Sequence, residues 1–140
     1  MSKRARALLI LQEGRRNFPY EDTEGKTTIG IGYNLTDLGL PDYIIDDLFD
    51  RTFTNAYKQA REFKWYNELT EVRQAVIVNM VFNLGAYRFA GFKRMIAALE
   101  AGNFKLASEE MLDSKWSHQV GKRALTLAAM MRYNSWPHGV

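Results

Sequence analysis

The stretch from Glu13 to Asn34, EGRRNFPYEDTEGKTTIGIGYN, limits what this chain can fold into more than any other. Glu13-Gly14 reads as the end of a helix, because glycine tolerates the left-handed backbone that closes one. Phe18 to Tyr20 is short and aromatic, and Asp22-Thr23-Glu24-Gly25 is built of turn residues. Lys26 to Tyr33 alternates as a strand does, with Ile29 and Ile31 on one side and Thr28, Gly30 and Gly32 on the other. A hairpin with a glycine-containing loop of roughly three to five residues fits that pattern. The glycines leave one strand face bare, which suits close approach of a ligand or another backbone. Such a hairpin could bring Glu13, Asp22 and Thr28 to one concave site.

Strand signals end there and helical ones surround them. Residues 3–13 form a first helix, with Ser2 as N-cap and Ala7, Leu8 and Leu11 at helical spacing. Gly39-Leu40-Pro41 breaks the chain, which passes directly from the sheet into a long amphipathic helix over residues 42–63. That helix opens with Asp42, Asp46, Asp47 and Asp50 and closes with Lys58 and Arg61, a polarity that complements the helix dipole without any metal. Thr70 caps the next helix, which runs to Gly85. Its span Ala75–Phe82 is apolar nearly all round and is expected to be the buried central helix. Asn79 is the polar exception and needs hydrogen-bond partners if buried. Further helices follow over residues 92–101, from Asn103 to about Asp113, and from Gly121 to about Tyr133, before an irregular tail at Ser135-Trp136-Pro137.

This segregation of strands and helices indicates an α+β fold in one domain over residues 1–140. The expected arrangement is a small hairpin lobe at about 15–45, a connecting helix at about 42–63, and a helical lobe from 1–14 plus 64–140. A cleft between two lobes is the default place for a ligand.

Composition narrows the chemistry. Apolar residues at 46% and charged residues at 25% suit an ordinary globular protein. With no cysteine, neither a disulfide framework nor a thiolate metal site is possible. His118 and His138 have no partner at metal-ligand spacing, so neither metal nor cofactor is expected. The basic N-terminus has an unbroken apolar run only from Ala7 to Leu11, too short for an export signal. No apolar run reaches membrane-spanning length, so the chain is expected to be soluble as made, without stable membrane insertion. The net charge of +3 is uneven: residues 61–140 hold eleven Lys/Arg against seven Asp/Glu. That bias favours an anionic partner no more than it describes solvated helix faces. Nucleic-acid binding has no motif to support it. The last helix sets Lys122, Arg123 and Arg132 beside Leu125, Leu127, Met130 and Met131, which suits either a core-facing helix or contact with anionic membrane.

Two carboxylates in different surroundings are the minimal equipment for acid–base cleavage of a glycosidic bond. Glu13, at the negative end of a helix dipole and expected to be partly buried, is placed to hold its proton as a general acid. Asp22, in a polar turn with amides nearby, is placed to stay ionised and to orient a water, with the Thr28 hydroxyl as its partner. A glutamate near a helix end and an aspartate in a turn are also the commonest of solvated surface charges.

The motifs favour the chemical reading. Glu13-Gly14, Tyr20-Glu-Asp22-Thr-Glu-Gly25 and Thr28-Ile-Gly-Ile-Gly32 together resemble the phage-type lysozymes of glycoside hydrolase family 24. Arg73 to Gly85 with Ala90-Gly91-Phe92 is similar to that family's central helix and following turn. Ser114-Lys-Trp116 and Lys122-Arg123-Ala124 are similar to its C-terminal signature. The resemblance spans roughly residues 8–136 in order. It implies a two-lobed lysozyme fold and a muramidase cutting peptidoglycan between N-acetylmuramic acid and N-acetylglucosamine with inversion. In that scheme Glu13 is the acid, Asp22 the second carboxylate, Thr28 the residue that positions water, and Arg123 a supporting cation near Glu13. Phe82 matches a residue lining the sugar cleft, with Asn83 and Trp116 as its expected neighbours; for Phe82 and Trp116 core packing is an equal expectation.

Two departures stand out. Tyr33 replaces a histidine found in some relatives, and its ring and hydroxyl, with neighbouring Asn34, become candidate sugar contacts. The chain is also short between Thr36 and Asp42, so the small lobe is trimmed. The leading expectation is a monomeric phage or prophage endolysin, held in the host cytoplasm until release to the wall, or carried in a virion. A lytic transglycosylase needs the acid but not the water-handling Asp22 and Thr28. An inactive wall-binding or virion module needs none of the three.

Overall fold

The computed structural model describes residues 2–140. It divides into two compact units, the first ending at Leu48 and the second running Phe49–Val140. The α+β class is as expected: one small antiparallel sheet lies in the first unit and helices make up the rest.

The first unit begins with α1, Lys3–Glu13. Ser2 caps it as anticipated, its hydroxyl accepting from the Arg4 amide at 3.1 Å, an interaction worth about 1 kcal/mol. Gly14, at φ 77°, ends it. The sheet follows in the order β1-β2-β3, with β1 at Arg16–Glu21, β2 at Thr27–Gly30 and β3 at Tyr33–Asn34. β1 is longer than the aromatic triplet that signalled it. Its register against β2 shifts between Arg16 and Tyr20, the segment that holds Pro19. Proline cannot donate to a ladder and is tolerated on an edge strand such as this. β2 and β3 pair Thr28 with Asn34 and Ile29 with Tyr33 around an Ile31-Gly32 loop.

The chain does not pass directly from sheet to long helix. A single-turn helix, α2 at Leu35–Leu38, intervenes because Asn34 caps it, accepting from the Asp37 amide at 3.1 Å. Lys26 Nζ lies 3.1 Å from Asp37 Oδ1 and the Thr27 amide donates to Thr36 Oγ1 at 2.8 Å, which ties α2 to β2. The long helix α3 is Asp42–Arg61, two residues shorter than expected, since the chain turns on a Phe63 N–H to Ala60 carbonyl bond.

In the second unit α4, Glu71–Leu84, is the buried helix its apolar run demanded, with Val76, Ile77, Met80 and Val81 at most 1% exposed. Thr70 caps it. Around it lie α5 (Ala86–Ala90), α6 (Lys93–Glu100), α7 (Phe104–Leu112), α8 (Lys115–Val120) and α9 (Lys122–Tyr133). Phe89, Met95, Met111 and Met131 fill the centre, each contributing roughly 1.5–3 kcal/mol by burial. Helix α9 faces this core through Ala124, Leu127, Ala128, Met130 and Met131. Of the four apolar residues singled out in the sequence, Leu127, Met130 and Met131 are thus taken up by the core and Leu125 alone is exposed, which favours the core-facing reading of that helix. Among the described residues no helix is long and apolar enough to cross a membrane.

Candidate active site

The first unit carries the carboxylates. Glu13 is the last residue of α1, and its side chain lies against the backbone of Gly32 in the β2–β3 loop. It is exposed rather than partly buried, because the element it touches at that point offers no side chain to cover it.

Asp22 opens the turn between β1 and β2. Its Oδ1 accepts the amides of Glu24 at 2.8 Å and Lys26 at 2.9 Å. Two backbone donors converge on that one oxygen and fix the direction in which the carboxylate points. The backbone closes the same turn, with Asp22 N–H on the Lys26 carbonyl at 2.9 Å and Gly25 N–H on the Asp22 carbonyl at 3.1 Å.

Thr28, two residues beyond Lys26, is 5% exposed in β2. Its hydroxyl donates to that same Lys26 carbonyl at 3.1 Å. The donor being committed, the hydroxyl presents its lone pairs as acceptors. Lys26 thus links the turn aspartate to the strand threonine through its main chain, while its ammonium holds Asp37. Residue-type reasoning misses Lys26, since the linkage uses atoms that every non-proline residue has. Only its place closing a D-T-E-G turn could have flagged it.

Tyr33 and Asn34 stand close by but their polar groups serve the protein itself. The Tyr33 hydroxyl donates to the Gly39 carbonyl at 2.6 Å. Asn34, paired with Thr28 across the ladder, caps α2 with its oxygen and donates from Nδ2 to Asp37 Oδ2 at 2.9 Å. Asp37 is held below the usual carboxylate range, first by the Lys26 hydrogen bond and then by that of Asn34.

The remaining candidates belong to the second unit and separate into two places. Phe82 is half exposed and, with Phe49, Phe53, Tyr57, Trp136 and Arg123, lines a cleft of about 610 Å³. Arg123 Nε donates to Asn79 Oδ1 at 2.9 Å, which supplies the partner that Asn79 requires. Trp116 is buried, packs edge-on against Phe92 at 6.1 Å, and donates its indole N–H to Asn83 Oδ1 at 2.8 Å. Of this pair Asn83 is the exposed member, so the buried indole fixes an amide that faces outward.

A family model for phage lysozyme matches residues 11–132. The chain belongs to the phage lysozyme family. Among its relatives are two proteins of Dictyostelium discoideum, probable T4-type lysozymes 1 and 2, which are 28% and 26% identical to it. Each match covers 84% of this chain and 86% of the relative. The pre-baseplate central spike protein Gp5 of Enterobacteria phage T4 is 27% identical over 84% of this chain, but that match covers only 25% of the spike protein. As a phage lysozyme the chain is a glycoside hydrolase that acts on peptidoglycan. The matched span contains Glu13, Asp22 and Thr28 and ends before Trp136.

Proposed function

We propose that this lysozyme is a muramidase that cleaves the β-1,4 bond between N-acetylmuramic acid and N-acetylglucosamine, with Glu13 as general acid and a water held by Asp22 and Thr28. The observation that carries the reading is the Asp22–Lys26–Thr28 linkage. It keeps one carboxylate supplied with amide donors and sets a hydroxyl with free lone pairs on the adjoining strand. Glu13 protonates the departing sugar oxygen. Asp22 accepts a proton from the attacking water, which Thr28 orients, and the charge that develops on the sugar ring is countered by the same carboxylate. Water delivered opposite the leaving group inverts the anomeric centre. The Tyr33 ring, Asn34, Phe82 and Asn83 are proposed sugar contacts, Trp116 acting through its bond to Asn83. Arg123 is proposed as a supporting cation.

Biologically the reading is an endolysin of phage-mediated lysis, acting as a monomer on the bacterial wall after release from the host cytoplasm. The baseplate-spike relative favours a second setting, in which the enzyme is carried on a virion. Proton NMR of freshly released fragments tests the mechanism: the α anomer is expected first, and initial β anomer would replace the activated water with a covalent intermediate.

A further inference from the structure

Gly30, the last residue of β2, and Gly32, in the β2–β3 loop, flank Ile31, and both adopt left-handed backbone, at φ 70° and 66°. Their surroundings differ. A methyl group at Gly30 would meet nothing within 4 Å. One at Gly32 would lie 2.6 Å from Glu13 Oε2, 2.8 Å from Cδ and 3.1 Å from Cγ. Comfortable separations between such atoms are about 3.5–4.0 Å, so the methyl and the carboxylate cannot share that space. A glutamate side chain is flexible and would yield before the sheet does.

We propose that Gly32 is a positioning residue for Glu13: the space left by its missing side chain seats the carboxylate against the β2–β3 loop and sets the direction from which the acid approaches the bond it protonates. The glycine therefore has two separable roles, of which only one is conformational. Gly30 shares the conformational role and lacks the other. This inference rests on the reading of Glu13 as the acid, since a displaced carboxylate matters to turnover only if it transfers a proton. Small displacements of a catalytic group are costly because effective molarity depends on near-attack geometry.

The pair of glycines provides a matched experiment. Gly32→Ala and Gly30→Ala both place a Cβ at positive φ, so both should lower Tm to a similar extent. Turnover should separate them, with kcat of Gly32→Ala at least tenfold below that of Gly30→Ala and KM alike in the two. The ¹³C carboxyl resonance of Glu13, read below the melting transition, should move in Gly32→Ala and stay in place in Gly30→Ala. Equal kcat in the two variants, or an unmoved Glu13 resonance in Gly32→Ala, would overturn the proposal. Should Gly32→Ala unfold, Glu13→Asp, which draws the carboxylate back by one carbon, carries the comparison: in that background the two alanine variants should melt together, and a persistent gap would count against the contact. Full turnover in Glu13→Gln would instead remove the acid assignment, leaving the resonance shift to report on the contact alone.

Discussion

The backbone of Lys26 holds Asp22 from both sides, its N–H donating to Asp22 Oδ1 and its carbonyl accepting the Asp22 amide, each at 2.9 Å. The same carbonyl takes the Thr28 hydroxyl at 3.1 Å. A turn aspartate and a strand threonine are therefore set in place by one peptide unit on either side of a single residue. The consequences for charge and for shape can be separated by substitution.

Asp22→Asn keeps an oxygen able to accept the amides of Glu24 and Lys26, so the turn should survive with less than about 1 kcal/mol lost. The negative charge is gone, and kcat should fall by roughly 10²–10⁴. Asp22→Ala removes the acceptor as well and should cost about 1–3 kcal/mol of stability, because two amides lose their partner. Chemical denaturation and turnover measured on the three proteins check both parts.

Thr28→Val preserves shape in a buried strand position. The Lys26 carbonyl still accepts the Asp22 amide, so no buried acceptor is orphaned and stability should change by only about 1 kcal/mol. Turnover should drop at least tenfold if the hydroxyl orients water, and Thr28→Ser should restore most of it. Equal rates for valine and serine would reduce Thr28 to a packing residue.

The Lys26–Asp37 pair predicts a pH dependence of modest size. The carboxyl of Asp37 lies below its ordinary value of 3.8, chiefly through the Lys26 hydrogen bond. A carboxyl lowered by folding stabilises the native state above its unfolded value, and that contribution fades as pH falls through the folded one. The pair is on the surface and screened by salt. Acid titration of Tm should therefore show a shallower low-pH limb in Asp37→Asn than in wild type, with the difference shrinking at high salt.

Arg73, in the first turn of α4, donates from Nε to the Met131 carbonyl at 2.8 Å and from Nη2 to the Arg132 carbonyl at 3.3 Å, with its guanidinium 3.7 Å from the Phe104 ring centre. A cation at the last carbonyls of α9 also complements that helix's dipole. Arg73→Ala should cost about 2–3 kcal/mol, read as a lower denaturant midpoint. Unchanged stability would mean that solvent replaces all three contacts.

The local features of the fold were legible because their causes are local. Ser2, Thr70 and Asn103 cap the helices they precede, and the apolar run of α4 is buried as its composition requires. Helices α5 and α8 were not legible: each is too short to show a helical period, and their boundaries at Gly85, Gly91, Ser114 and Gly121 read equally well as loop punctuation. The turn at α2 was hidden for the same reason. In the site, residue types singled out Glu13, Asp22 and Thr28, whose chemistry lies in their side chains. Lys26 acts through its backbone and Gly32 through an absent side chain, and neither leaves a chemical mark in the sequence. The Asn79–Arg123 bond joins residues far apart in the chain; the need of Asn79 for a partner was evident, but not which residue meets it.

Mass spectrometry of the peptidoglycan fragments released by wild type and by Glu13→Gln tests the central claim most directly. Fragments ending in reducing N-acetylmuramic acid, lost in the variant, are the predicted result and make the chain a hydrolytic muramidase with Glu13 as its acid. Anhydro-muramic ends from the wild type would contradict it, since they form without water and leave Asp22 and Thr28 without their assigned work.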